Sequence, residues 1–456
     1  MTKQASILLM ATLILISGCG ETSSSASSTS SSQNNTHERN PEEGHSTLLA
    51  YYGDKENNRI VVVDVDQMEL IDEIATGHEQ SYAAEIIKTQ GEEHNSKPKL
   101  YVDNRGSRAI DVIDTERNTI VKTIDLDFYP RSINVNKERA LVLVSGVNRA
   151  MSAVIDADTD EVVATVGSPE VTYPTSSGHA YISSGTLASG HPEWLNEDHF
   201  VMIDRQHRKI DTYQISQQAD GTWQTTLVNS LATPSPVHNL IPPEIHGKGG
   251  HTRRGHGVQY ATIFYATAEG VEDIYPSVLK LEFVSGEGLS IVDELPIQKE
   301  GLSPNIMGVH HLNFLNNQKY IYVGSDEGNL FVVNYENDPM VIEKIIPAGK
   351  GAGHTSEFKH GNIAVVINHK DRFITLINTD TNEKIADIEV SQIEENRVGS
   401  VQTQSHPAYH FSEDGRYFYL FLTQEGALVK VDLENKQVAE RLEIGGKLAM
   451  GSFVGH

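Results

Sequence analysis

Histidine recurs at one phase of this chain. It stands in Gly77-His78, Gly190-His191-Pro192, Gly250-His251, Val309-His310-His311, Gly353-His354 and Ser405-His406-Pro407, each ahead of β-prone text. Aromatics follow several of them: Trp194, Phe314, Phe358 and Tyr409. Neutral imidazole is the commonest transition-metal ligand, and three or four converging rings hold zinc or copper without thiolates. His179, His238, His246, His256 and His410 lie close to these positions, and Glu193, Glu244 and Glu357 are carboxylates that could complete or orient a site. His238 to His256 sets its histidines among Pro, Gly and Arg and reads as a long loop, the kind of segment that carries function. Arg253 and Arg254 there disfavour a bare cation and suit an anionic ligand such as a carboxylated macrocycle. His199 reads differently, as the start of a strand at Phe200–Asp204.

Whatever the histidines do, repeated strands must position them. Ile363-Ala-Val-Val-Ile, Phe373-Ile-Thr-Leu-Ile-Asn and Lys384-Ile-Ala-Asp-Ile-Glu-Val are short β-prone runs separated by turn residues. Units of this kind fall at 45–77, 78–128, 129–167, 179–237, 251–297, 310–348, 354–390 and 406–445. A period of roughly 40–50 residues indicates a propeller or another repeat array. The expected fold is an all-β propeller of eight blades, with seven as the alternative because 167–190 has no clean place. The first unit lacks an innermost strand, and Lys447–His456 is expected to supply it, closing the ring and removing its sheet edges. In such a ring the innermost strands line a central channel. Histidines placed just before them meet at its mouth.

The hairpin text Asn378-Thr-Asp-Thr-Asn-Glu-Lys returns at Asp114-Thr-Glu-Arg-Asn-Thr, Asp156-Ala-Asp-Thr-Asp-Glu and Asp432-Leu-Glu-Asn-Lys-Gln, and is followed by Val121-Lys-Thr-Ile or Val162-Val-Ala-Thr-Val. It resembles the YVTN-type repeats of bacterial β-propellers over most of 46–446, a likeness that implies fold more than function. Ser189-Gly-His-Pro-Glu and Val309-His-His are similar to His-rich blade loops of periplasmic zinc-chaperone propellers. The mouth histidines also resemble those of haem d1-binding eight-bladed propellers. Nitrous oxide reductase is a poorer match: its Asp-x-His-His reads Met307-Gly-Val-His-His here, and no cysteine-rich copper domain follows. In WD-type propellers a Gly-His at this point bonds within its own blade and binds nothing, so a plain interaction scaffold stays open.

Residues 1–18 read as a secretory signal, one lysine and then an apolar run from Ile7 to Ile16 too short to span a bilayer. Ile16-Ser17-Gly18-Cys19 resembles the lipobox of bacterial lipoproteins, which implies lipidation of Cys19, the only cysteine; Gly20 after it implies the outer membrane, facing the periplasm. Residues 19–44 are a Ser-rich tether unable to bury a core, and 45–456 form the propeller. His37 and His45 read as stray tether residues. A net charge of −26, from 62 acidic and 36 basic residues with no basic block, argues against nucleic acid as a partner.

These readings predict an envelope-anchored, monomeric propeller that binds a transition metal for storage or delivery, with the membrane and a metal-transporter component as the expected partners. Zinc is the expected ion, with copper or a haem-like macrocycle as alternatives. The expected ligands are His310, His311, His354 and His406, then His191 and His251, with His78 further around the ring. A metal- or macrocycle-dependent enzyme is the rival reading; no Gly-x-Ser-x-Gly elbow, phosphate loop or His-Glu-x-x-His motif occurs.

Overall fold

The structure, a computed structural model, describes residues 48–79, 81–87, 99–170, 187–243, 251–254, 257–260, 262–271, 273–302, 309–315 and 319–455. The signal, lipobox and tether lie outside these residues, as do His179, His246 and His256.

Eight four-stranded antiparallel sheets, the blades, follow one another along the described chain. Their innermost strands are Leu448–Gly455 in blade 1, Ser81–Ile87 in blade 2, Pro130–Asn136 in blade 3 and Glu193–Trp194 in blade 4. Val237–Ile241, Val309–Phe314, Ala352–Glu357 and Gln404–Phe411 serve blades 5 to 8. The chain is an eight-bladed β-propeller. Its ring closes as the sequence predicted, because Leu448–Gly455 pairs antiparallel with Leu48–Asp54.

Closure rests on alternation. The second and third strands of each blade are buried on both faces, so successive side chains pack against opposite neighbours. Tyr51 packs with Leu100 and Val102 of blade 2, whereas Tyr52 packs toward blade 8 and stacks on Phe421 at 3.9 Å between centroids. Such apolar clusters fill every junction from blades 1 and 2 around to blades 8 and 1. The hairpin text has its own task between blades. Asn118 and Asn382 adopt left-handed backbone at these turns, with φ of 52° and 53°. Each accepts a hydrogen bond from a buried tyrosine of the preceding blade: Tyr51 Oη to Asn118 Oδ1 at 2.8 Å, Tyr322 Oη to Asn382 Oδ1 at 2.5 Å. Tyr101 bonds Asp160 in the same way.

Blade 5 departs from the expected pattern. Its innermost strand is Val237–Ile241, and a two-stranded hairpin, His251–Arg254 with Gly257–Tyr260, is inserted before the second strand Ile263–Ala268. His251 therefore does not precede an innermost strand. The long insertion separates two strands that are adjacent in space, and His238 occupies the position expected for His251.

Candidate metal centre

The innermost strands are interrupted where they reach the mouth. A register shift lies between Ser81 and Ala84, Val237 and Leu240, Val309 and Leu312, Ala352 and Thr355, and Gln404 and Tyr409. A bulge of this kind adds a residue, bends the strand and re-aims its side chains. Counting from the last regularly paired residue, His238 and His310 take the first bulge position. His311, His354 and His406 take the second. In blade 4 the bridge Ser189–Asp204 puts His191 at that second position too. A second ring of residues follows directly after the second strand of each blade, and includes Arg205, Glu269 and His369.

Three of these histidines converge. One ring nitrogen each from His191, His238 and His311 lies within 4.8 Å of the others; His238 and His311 are buried and His191 is part-exposed. His238 Nε2 and His311 Nε2 are 3.2 Å apart. Zinc–nitrogen bonds of 2.0–2.1 Å in a tetrahedron require ligand nitrogens about 3.3 Å apart, so this pair already spans a tetrahedral edge. The backbone N–H of His191 donates to the carbonyl of His238 at 2.9 Å, tying blade 4 to blade 5 at the site.

The surroundings fix ring orientation. Glu269 Oε1 is 3.1 Å from His238 Nδ1, and the same carboxylate takes Arg205 Nη1 at 3.0 Å and Nη2 at 2.7 Å. Arg205 Nη1 also lies 3.3 Å from His238 Nδ1. Because the guanidinium faces Glu269 through both nitrogens, the carboxylate is the partner that Nδ1–H can donate to. That tautomer leaves the Nε2 lone pair toward His311. Carboxylate behind imidazole is the usual second layer of a histidine metal site.

Beyond His311 the rings continue. The His354 ring lies 4.0 Å from that of His311, and His354 Nδ1 is 2.9 Å from His369 Nε2. His369 Nδ1 must donate to the Gln404 carbonyl at 3.1 Å, since a carbonyl only accepts. Burial pushes the His369 pKa down to about 4, so the ring is neutral near pH 7. Its Nε2 then accepts from His354 Nδ1–H, and the lone pair of His354 sits on Nε2.

The expected residues separate accordingly. His191 and His311 join the triplet, and the His354 ring lies tilted beside that of His311. His310, His406 and His251 lie on described strands, but their side chains lie outside the described residues. His78 faces its own blade, with Nε2 3.6 Å from Asp111 Oδ1, the local arrangement of a structural histidine. His199 is buried and bonded to Asn196 and Asp198, as a strand-start residue. His238 was only a neighbour in the sequence reading, and Glu269, Arg205 and His369 were absent from it. Their shared position after each second strand is the signal that marks them.

No family model matches the sequence, and no curated protein matches it. Solved structures do match. A dihydro-heme d1 dehydrogenase, NirN, superposes with a TM-score of 0.58 at 14% identity, covering 89% of this chain and 74% of its own. Apo AztD from Citrobacter koseri gives 0.54 at 9% identity, covering 90% and 99%. A putative 6-phosphogluconolactonase from Bacteroides fragilis gives 0.53 at 11% identity, covering 91% and 100%. Likeness at these identities is likeness of fold.

Proposed function

We propose that this propeller binds a transition-metal ion, zinc before copper, through His191, His238 and His311, and that it stores the ion or hands it on. The triplet carries the reading: two buried imidazole nitrogens at ligand spacing, a third within reach, and a carboxylate holding His238. Part-exposed His191 gives the ion a route to solvent, which suits cargo more than a sealed structural ion. His310, His354 and His406 on adjoining innermost strands, with His251 on the inserted hairpin, are proposed as further positions that receive or release it. The similarity of Ser189-Gly-His-Pro-Glu to zinc-chaperone blade loops supports zinc.

The same proposal sets the chain at the cell envelope, lipidated at Cys19 and facing the periplasm, with a metal-transporter component as recipient. Its support is the apolar run ahead of Gly18-Cys19. Cys19→Ser should release the protein from the membrane fraction. Metal analysis of protein purified without an affinity tag tests the function. Stoichiometric zinc or copper supports it; a Soret-type band would favour a macrocycle, and neither would favour a scaffold. Binding should weaken as pH falls through roughly 6.5, where free imidazoles protonate.

A further inference from the structure

Of the three converging histidines, His191 has the least regular backbone around it. The innermost strand of blade 4 is the 2 residues Glu193–Trp194, against 5 residues in blade 5 and 6 in blade 6. His191 lies ahead of that strand, beyond the isolated bridge Ser189–Asp204. At the bridge Arg205 N–H donates to the Ala188 carbonyl at 3.0 Å and Gly190 N–H donates to the Ile203 carbonyl at 2.9 Å. Ser189 is therefore the non-hydrogen-bonded member of the pair, and its own carbonyl points away from Asp204, out of the edge that faces the channel.

A buried carbonyl without a ladder partner needs another donor, and Arg131 of blade 3 supplies it. Its Nη1 donates to the Ser189 carbonyl at 2.5 Å. Arg131 is buried, and it is itself a bulge residue, standing where the register of blade 3 shifts between Pro130 and Ser132. Blade 3 thus presents a guanidinium at the kind of position where blades 5 and 6 present histidines. Behind it, its charge acts on buried Asp103 of blade 2, whose Oδ2 accepts from Arg105 Nε at 3.1 Å. The rest of the segment is equally constrained. Arg205 Nε donates to the Leu187 carbonyl at 3.2 Å, and His191 N–H donates to the His238 carbonyl at 2.9 Å. Between Ser189 and His191, Gly190 has no room to slide, because a Cβ there would stand 2.7 Å from the Ile203 side chain and 2.9 Å from the His238 carbonyl oxygen. A shift at Ser189 is therefore passed to His191.

We propose that Arg131 is a positioning residue of the metal centre: through the Ser189 carbonyl it holds His191 where His238 and His311 can share an ion with it, and so sets how tightly that ion is kept. The inference rests on the metal reading of the triplet, but the hold on His191 is measurable without metal.

Amide hydrogen exchange of the metal-free full chain, resolved at His191 and at Met202 on the second strand of blade 4, gives the first measurement. Arg131→Met keeps the length of the side chain and removes its donors. It should speed exchange at His191 by at least about tenfold and leave Met202 unchanged, since loss of one charged hydrogen bond opens the segment locally. Zinc affinity, read by chelator competition, should fall about 10–100-fold in the same variant, while Arg131→Lys, which can still donate, should recover most of it. Should Arg131→Met not fold, adding Asp103→Asn removes the carboxylate left facing it and permits the same two measurements. Unchanged exchange at His191, equal acceleration at Met202, or faster exchange with unaltered zinc affinity each overturns the proposal. A natural protein that binds no zinc would refute the metal reading itself, and exchange at His191 would still decide whether Arg131 holds that residue.

Discussion

Replacing Glu269 by glutamine tests the chemistry of the centre without touching a proposed ligand. The carboxylate does two things: it accepts from His238 Nδ1 at 3.1 Å and it neutralises buried Arg205 at 2.7 Å. Losing the outer-layer partner of a metal-bound histidine costs roughly 10–100-fold in affinity, or about 1.4–2.7 kcal/mol. Stranding a buried guanidinium costs more, about 3–5 kcal/mol of stability. Glu269→Gln should therefore lower both zinc affinity, read by chelator competition, and stability, read by urea unfolding of the metal-free protein. The two losses have different origins and can be separated. Adding Arg205→Leu removes the stranded cation and should restore much of the stability, yet zinc affinity should remain depressed because His238 still lacks its carboxylate. Recovery of affinity along with stability would refute the orienting role of Glu269. Unchanged affinity in the single variant would refute it more directly.

His238→Ala and His311→Ala should each lower zinc affinity by at least about 100-fold, because a missing imidazole leaves too few donors for a closed coordination shell; His78→Ala, whose ring faces Asp111, should leave it unchanged, and equilibrium dialysis checks all three. His369 is neutral in the fold, its pKa pushed down to about 4 from an ordinary 6.5. The stability this contributes is present above about pH 6.5 and is lost as pH falls toward 4, by up to about 3 kcal/mol; urea midpoints measured across that range should flatten in His369→Gln. Tyr322→Phe deletes the bond to Asn382 between blades 6 and 7 and should cost about 1 kcal/mol in the same unfolding assay, with zinc affinity unaltered.

The ring was legible because its signals are local. Period-two apolar runs, hairpins rich in Asn and Asp, and an orphan C-terminal strand each declare themselves within a few residues, and together they require closure. The phase of His191, His311 and His354 was legible for the same reason. His238 is obscured by the inserted hairpin, which puts Gly250-His251 at the phase of the repeat; the innermost strand, Val237–Ile241, is only 5 residues long. Glu269, Arg205 and His369 look like ordinary turn residues in the sequence. Their burial follows from the bulges in the innermost strands, and a bulge depends on register between two strands, which a single strand's text does not carry.

A propeller lets chemistry vary around its mouth at little cost to its frame. The blades are held by apolar junctions and by tyrosine-to-turn bonds far from the bulges, so a bulge position can change type while the neighbouring strands keep their pairing. This chain uses that freedom unevenly. Blades 4 to 7 place imidazoles, with one carboxylate and one guanidinium behind them, whereas blades 1 and 2 place an ammonium and a guanidinium about a phenol ring. Neutral nitrogen donors therefore occupy one sector of the mouth and fixed positive charge another.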